Sequence, residues 1–214
     1  MRKNRAIKNR GTNFLLKIII RCINLVFWYF YSNFNVELHM SQRPLILVTN
    51  DDGITAPGIR TLITVMNTIG DVVVVAPDSP QSAMGHAITI NSTLHIEKVT
   101  IDGKQAEYSC SGTPADCVKL AVNEILERRP DICVSGINHG SNSSINVIYS
   151  GTMSAALEAG IEGIPAIGFS LLDYSWSANF EHCKSFIKTI TKQVLEHVLP
   201  DGVVLNVNVP NHEE

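Results

Sequence analysis

Residues 44–58 read Pro44-Leu-Ile-Leu-Val-Thr-Asn-Asp-Asp-Gly-Ile-Thr-Ala-Pro-Gly58, and the fold turns on this stretch. Leu45 to Asn50 is a short, continuous apolar run rich in β-formers, as expected of a strand covered on both faces in a parallel sheet. Asn50-Asp51-Asp52-Gly53 ends the run with turn residues. Pro57 then opens a segment to Ile69 in which Ile59, Leu62, Ile63 and Met66 recur at helical spacing. Val72-Val-Val-Val-Ala76 is a second strand of the same kind, so the first unit is β-α-β.

The pattern repeats outward. Thr113 to Leu126 predicts a helix, Asp131 to Ser135 a strand, Thr152 to Ile161 a helix and Pro165 to Ser170 a strand. A long helix from about Asn179 to Val198 leads to the strand Val203 to Val209. Strands alternating with helices predict an α/β fold with a doubly wound, mostly parallel sheet. One region departs from this. His86 to Ile101 and Ala106 to Ser109 alternate apolar and polar residues around Asp102-Gly103, which predicts a small antiparallel β insertion.

With 214 residues, 45% hydrophobic and 17% charged, the chain can bury a sizeable core, which excludes whole-chain disorder. The net charge of −3 conceals an asymmetry: residues 1–39 hold seven Lys/Arg against one acid, Glu37, and the remainder holds ten against nineteen. An acidic body argues against binding polymeric nucleic acid, which needs clustered cations to neutralise phosphates. Cys22, Cys110, Cys117, Cys133 and Cys183 are widely spaced, without a CxxC pair or zinc spacing, and read as reduced thiols of a cytoplasmic protein.

Residues 1–40 form a basic and hydrophobic extension before a domain at 41–214. Lys17 and Arg21 interrupt the apolar run, and the longest uncharged stretch, Cys22 to Val36, falls short of a bilayer span. Three readings stay open: upstream sequence translated ahead of a true start at Met40, an anchor or surface helix, or a cleaved signal. Membrane contact is expected only if residues 1–39 are present in the cell.

Ligands of doubly wound sheets bind beyond the carboxyl ends of the strands, and the residues there are polar. Asp51 and Asp52 repel one another unless a cation or proton stands between them. A hard divalent ion, Mg²⁺ or Mn²⁺, suits carboxylate, amide and hydroxyl oxygens, and Ser82 and Asn138 could add such oxygens. The other reading of Asp51-Asp52-Gly53 is a polar turn capping the next helix, with Ser82 and Asn138 as loop and turn residues. Ser150-Gly151-Thr152 opens a helix with unsatisfied N–H groups, suited to a phosphate or serving as a plain N-cap. Thr113 and Asp116 are spaced as a capping box. His86 and His139 fall near the expected crevice and could assist proton transfer or serve structurally.

Taken together, Val48-Thr-Asn-Asp-Asp-Gly-Ile-Thr-Ala-Pro-Gly58, Ala76-Pro-Asp78 followed by Ser82, Gly112-Thr-Pro-Ala-Asp-Cys-Val118, Val134-Ser-Gly-Ile-Asn138 and Tyr149-Ser-Gly-Thr152 resemble the SurE family of 5′-nucleotidases, in order and over about residues 44–210. The resemblance implies a Rossmann-like fold and divalent-metal-dependent hydrolysis of nucleoside 5′-monophosphates. It also implies metal ligation by Asp51, Asp52, Ser82 and Asn138, with Asp51 and Asp52 catalytic. Two carboxylates cancel one divalent ion, so a dianionic phosphate still calls for the donors of Ser150, Gly151 and Thr152. Where the family has glycine after the loop serine, this chain has Ala83. The family continues past the last strand with a tail used in assembly, so a homo-oligomer is expected, weakened if that tail is missing. The alternative function is a non-catalytic nucleotide- or metal-binding relative. A nicotinamide dehydrogenase is disfavoured, because no GxGxxG follows the first strand.

Overall fold

The computed structural model describes residues 43–103, 105–175 and 177–211. The reading of residues 1–40 lies outside these. The described chain forms a seven-stranded sheet in the order β3-β4-β2-β1-β5-β6-β7. In chain order its strands are β1 Leu45–Thr49, β2 Asp71–Pro77, β3 Ile96–Val99, β4 Ala106–Cys110, β5 Ile132–His139, β6 Ala166–Leu171 and β7 Leu205–Val209. All neighbours pair in parallel except β3 with β4. The helices are α1 Pro57–Met66, α2 Pro114–Leu120, α3 Asn146–Tyr149, α4 Gly151–Ile161 and α5 Cys183–Glu196. No described helix is long and apolar enough to cross a membrane.

Alternation along each strand divides the core in two. Ile46, Val48, Val74 and Val134 pack with Ile59, Leu62 and Ile63 of α1 and Ile187 of α5. Leu47, Val75 and Cys133 pack on the other face with Cys117 and Val118 of α2 and Ala155, Ala156 and Ala159 of α4. Ile46, Leu47 and Val48 have no exposed surface, and burying such a side chain stabilises by roughly 1.5–3 kcal/mol. Small residues on α4 bring that helix close to the sheet, and a Cβ on Gly58 of α1 would collide with the Ile137 carbonyl. From β1 the chain leaves for β2, and from β5 it leaves for β6 on the other side. The crevice between the β1 and β5 ends is therefore the topological switch point.

The doubly wound sheet follows the sequence reading, with local differences. The expected antiparallel pair is β3 with β4, and because β4 also pairs in parallel with β2 it extends the main sheet to its edge. His86 to Leu94 contains no strand, because its backbone is drawn elsewhere. Thr89 gives its N–H and hydroxyl to Asp116, and the Ala87 carbonyl accepts from the Thr113 hydroxyl. The alternating Ile88 and Ile90 face solvent.

The helix expected over 113–126 stops being α-helical at Leu120, where a π-helical turn, Ala121–Ile125, takes over. There the Asn123 side chain donates to the Lys119 carbonyl and Leu126 N–H reaches Ala121. The last helix starts at Cys183 rather than Asn179, since the Asn179 side chain accepts from Glu181 N–H in a turn. It ends before Pro200, which cannot continue a helix. Strand β5 runs through a bulge between Ser135 and Asn138 to His139, four residues past its expected end, and so carries Asn138 itself.

Candidate functional site

The turn after β1 is fixed by its own side chain: Asn50 Nδ2 donates to the Gly53 carbonyl at 2.9 Å, and Gly53 has φ +98°. This aims Asp51 at the start of α4. Its Oδ1 accepts the Thr152 hydroxyl at 2.6 Å, and the Thr152 N–H also donates to the carboxylate. Gly151 makes the approach possible, for a Cβ there would lie 2.5 Å from Asp51 Cβ and 2.9 Å from Oδ2. The Asp51 carbonyl accepts from Gln81 N–H at 2.7 Å, tying the Ser82 loop to the same residue. Asp52 receives the His139 backbone N–H.

A cavity of about 470 Å³ opens here. Asp51, Asp52, Ser82, Asn138 and Ser150 all line it, so the structure brings five of the seven expected site residues together. Gly151 and Thr152 do not line it, and Thr152 is wholly buried, with both its hydroxyl and its N–H on the Asp51 carboxylate. Ser150 caps α4 by accepting from Met153 N–H at 3.0 Å. His139 lines the cavity with its ring edge-on to Phe180, whereas His86 lies elsewhere: its Nε2 is 2.7 Å from Glu158 Oε2, and that carboxylate also takes Lys119. The capping box at Thr113 and Asp116 is present.

Tyr149 and Tyr174 lie at the cavity, with Ser141 and Asn142 from the loop after β5 and Asn146 from the start of α3. Of these only Tyr149 belongs to a motif singled out in the sequence. Tyr174 accepts the Ser141 N–H at 3.1 Å, and the edge of its ring lies where a side chain at Gly140 would sit, so glycine there is a sequence trace of the contact.

Burial, together with the charge of Asp52, pushes the Asp51 carboxyl up to about 6. Burial also raises Asp52, although the charge and backbone N–H of His139 oppose the rise. No lysine or arginine lines the cavity, and no group of three or more His, Cys, Asp or Glu suited to a metal occurs among the described residues. An ion here would rest on two carboxylates and neutral oxygens. Asn138 fits that role. Its Nδ2 donates to the carbonyls of His139 and Gly140, both at 2.9 Å, which fixes the amide so that Oδ1 is the atom offered to the cavity. The set of two carboxylates, an amide oxygen and a hydroxyl suits a hard divalent cation rather than zinc.

Fold and site together define a doubly wound α/β protein with an all-oxygen, carboxylate-lined site at its switch point. The chain belongs to the SurE family: the model of that family, described as survival protein SurE, matches residues 46–214. It is 75% identical over 175 residues to the 5′-nucleotidase SurE of Christiangramia forsetii, covering 81% of this chain and 67% of that one. It is 63% identical over 170 residues to the 5′-nucleotidase SurE of Cytophaga hutchinsonii, covering 79% and 66%. The crystal structure of the SurE protein from Aquifex aeolicus superposes with a TM-score of 0.72 at 42% identity, over 79% of this chain and 67% of that one. The chain thus spans about two thirds of the length of these relatives.

Proposed function

We propose that this chain is a cytoplasmic 5′-nucleotidase, a divalent-metal-dependent phosphomonoesterase that converts nucleoside 5′-monophosphates to nucleoside and phosphate. The observation that carries the reading is the carboxylate pair Asp51 and Asp52, which lines one cavity with Asn138 and Ser82 and with no lysine or arginine. Membership of a family whose similar members are named 5′-nucleotidases supports it. Cys110, Cys117, Cys133 and Cys183 are buried and unpaired, in keeping with a reducing compartment.

Asp51, Asp52, Asn138 and Ser82 would hold one Mg²⁺ or Mn²⁺ ion. When bound, such an ion polarises a phosphoryl oxygen and favours water as a nucleophile. The protein's part is to place and balance charge. Thr152 fixes the Asp51 carboxylate through its hydroxyl, so the carboxylate's direction does not depend on a ligand. Ser150, the N-cap of α4 that lines the cavity, would offer its hydroxyl and the positive end of the helix dipole to a phosphate dianion. No cysteine lines the cavity, and no described contact joins Ser82 to a base, which is in keeping with water as the attacking group.

The test is phosphate release from a panel of nucleoside 5′-monophosphates with added Mn²⁺ or Mg²⁺, and again in excess EDTA. Release that depends on the ion is expected. Undiminished turnover in protein shown to be metal-free overturns the mechanism, and binding without turnover turns the reading to a non-catalytic relative.

A further inference from the structure

Strand β7 closes one edge of the sheet, and its sequence is unusual for a strand: Asn206 and Asn208 alternate with Leu205, Val207 and Val209, although asparagine is disfavoured in β structure. Their amides hold the loop after β5. Asn208 Oδ1 accepts from the Asn142 N–H at 2.9 Å, and Asn206 Nδ2 donates to the Asn142 carbonyl at 2.8 Å. Asn208 Nδ2 locks the two together by donating to Asn206 Oδ1 at 3.0 Å. Asn142, only 5% exposed, donates in turn from its own Nδ2 to Ser170 Oγ at 2.9 Å. Both main-chain groups of one cavity residue are thus satisfied by side chains more than sixty positions further along the chain.

The same end of the chain reaches the neighbouring loop. Asn211 Nδ2 donates to Asp173 Oδ2 at 3.1 Å, and Asp173 Oδ1 accepts from the N–H of Ser175, another cavity residue. Tyr174 joins the two loops through Ser141. One wall of the cavity is therefore hung on β7, while Asp51, Asp52, Asn138 and Ser150 come from the turn after β1, from β5 and from the start of α4. A phosphate at the carboxylate end would leave much of the 470 Å³ cavity to the rest of the ester.

We propose that Asn206 and Asn208 are positioning residues that hold the Ser141–Asn142 wall against the nucleoside part of the substrate, an inference that rests on the nucleotidase reading above. A loop peptide whose N–H and C=O are both bound by side chains keeps its place before substrate arrives, and such preorganisation favours binding.

The experiment measures kcat and KM of the Mn²⁺-loaded protein and of Asn208→Ala and Asn206→Ala, with a nucleoside 5′-monophosphate and with p-nitrophenyl phosphate. Loss of these hydrogen bonds is expected to raise KM for the nucleotide by about 3- to 10-fold. Both kcat values and KM for p-nitrophenyl phosphate should stay within about twofold, since that ester lacks a nucleoside. Circular dichroism and thermal unfolding check the fold. Asn206 is exposed, so its variant decides the matter if Asn208→Ala does not fold.

An unchanged nucleotide KM, or equal loss with both esters, overturns the positioning role while leaving the nucleotidase reading standing. If the unaltered protein hydrolyses no nucleotide, that reading fails and the positioning role falls with it.

Discussion

Asp51, in the cavity at the ends of β1 and β5, and Glu158, on the flank where α4 meets α2, are equally buried at 4% exposure, yet their surroundings differ in kind. Glu158 has its charge answered: Lys119 Nζ lies 2.7 Å from Oε1 and His86 Nε2 lies 2.7 Å from Oε2. Burial pushes its carboxyl up, but these hydrogen bonds outweigh burial and hold it below the usual glutamate range. Glu107, 1% exposed, is answered in the same way by Arg60. Asp51 has only the Thr152 donors, with a second carboxylate beside it, and burial raises its carboxyl to about 6. Cations answer Glu158 and Glu107, and neutral donors of Thr89 and Thr113 hold Asp116, whereas Asp51 is the buried acid that has another carboxylate beside it. A buried carboxylate with a second one beside it and no lysine or arginine near destabilises the fold unless a proton or a cation arrives, which makes the Asp51 end of the cavity the candidate place for an ion.

The largest expected effect breaks the comparison at Asp51. Asp51→Asn keeps the shape and an oxygen for Thr152 but removes the charge, and should cost activity at least ~10²-fold, more than loss of a residue that merely orients a ligand. Asp52→Asn should act in the same direction. The stability of the metal-free protein should move the other way. A carboxyl raised from 3.8 to about 6 on folding contributes stability that is fully present below the unfolded value and lost as pH rises through the folded one. The metal-free protein should therefore grow more stable as pH falls from about 7 to about 5, by roughly 1–1.5 kcal/mol from this group, the remainder of the gain coming only as pH approaches 3.8. Asp51→Asn should flatten that slope. Urea midpoints across this range, in EDTA and with Mn²⁺, are the measurement, and an unchanged slope in Asp51→Asn removes the charge argument.

At Glu158 the sign reverses. A lowered carboxyl contributes stability above its unfolded value and loses it as pH falls through the folded one, which lies below the window governed by Asp51. Glu158→Gln should destabilise by about 1–2 kcal/mol, discounted because Lys119 is largely solvated and keeps its hydration. Activity should change little, since neither Glu158 nor its partners line the cavity. Stabilisation by Glu158→Gln in denaturant titrations would erase the contrast between the two regions.

These two acids also show what a single sequence can reveal. Asp51 and Asp52 were legible because their meaning is local: two adjacent carboxylates follow an apolar run and precede a glycine, so a strand end, a turn and a charge conflict coincide in four residues. The sheet was legible for the same reason, since β1, β2 and α1 announce themselves through short-range periodicity. The partner of Glu158 was not. His86 lies 72 positions away in an irregular segment, where alternation of Ile88 and Ile90 with polar neighbours imitates a strand. Asn206 and Asn208 were equally silent, because their hydrogen bonds run to a loop more than sixty residues earlier. Ser150-Gly151-Thr152 shows a helix start with backbone donors, and nothing in those three residues shows that Asp51 takes the Thr152 N–H and hydroxyl.

The smallest expected effect sharpens the comparison within the cavity itself, at the loop that brings Ser82. Ala83 has φ +62°, the left-handed region in which a Cβ meets the following carbonyl at a cost of about 1–2 kcal/mol. The loop is held there from both sides. Gln81 N–H binds the Asp51 carbonyl, and the N–H of Gly85, itself at φ +57°, binds the Tyr149 carbonyl at 3.2 Å. The cavity thus carries a backbone cost beside its electrostatic one, and the Glu158 flank carries neither. Ala83→Gly removes the steric cost but adds flexibility to the unfolded chain, so a net stabilisation of about 0.5–1 kcal/mol is expected. Because the two anchoring hydrogen bonds remain, Ser82 should keep its place and kcat should hold within about twofold. Urea unfolding of Ala83→Gly beside the unaltered protein is the check. A destabilised variant would mean that residue 83 does not adopt the left-handed conformation in solution, and the strain assigned to this loop would have to be given up.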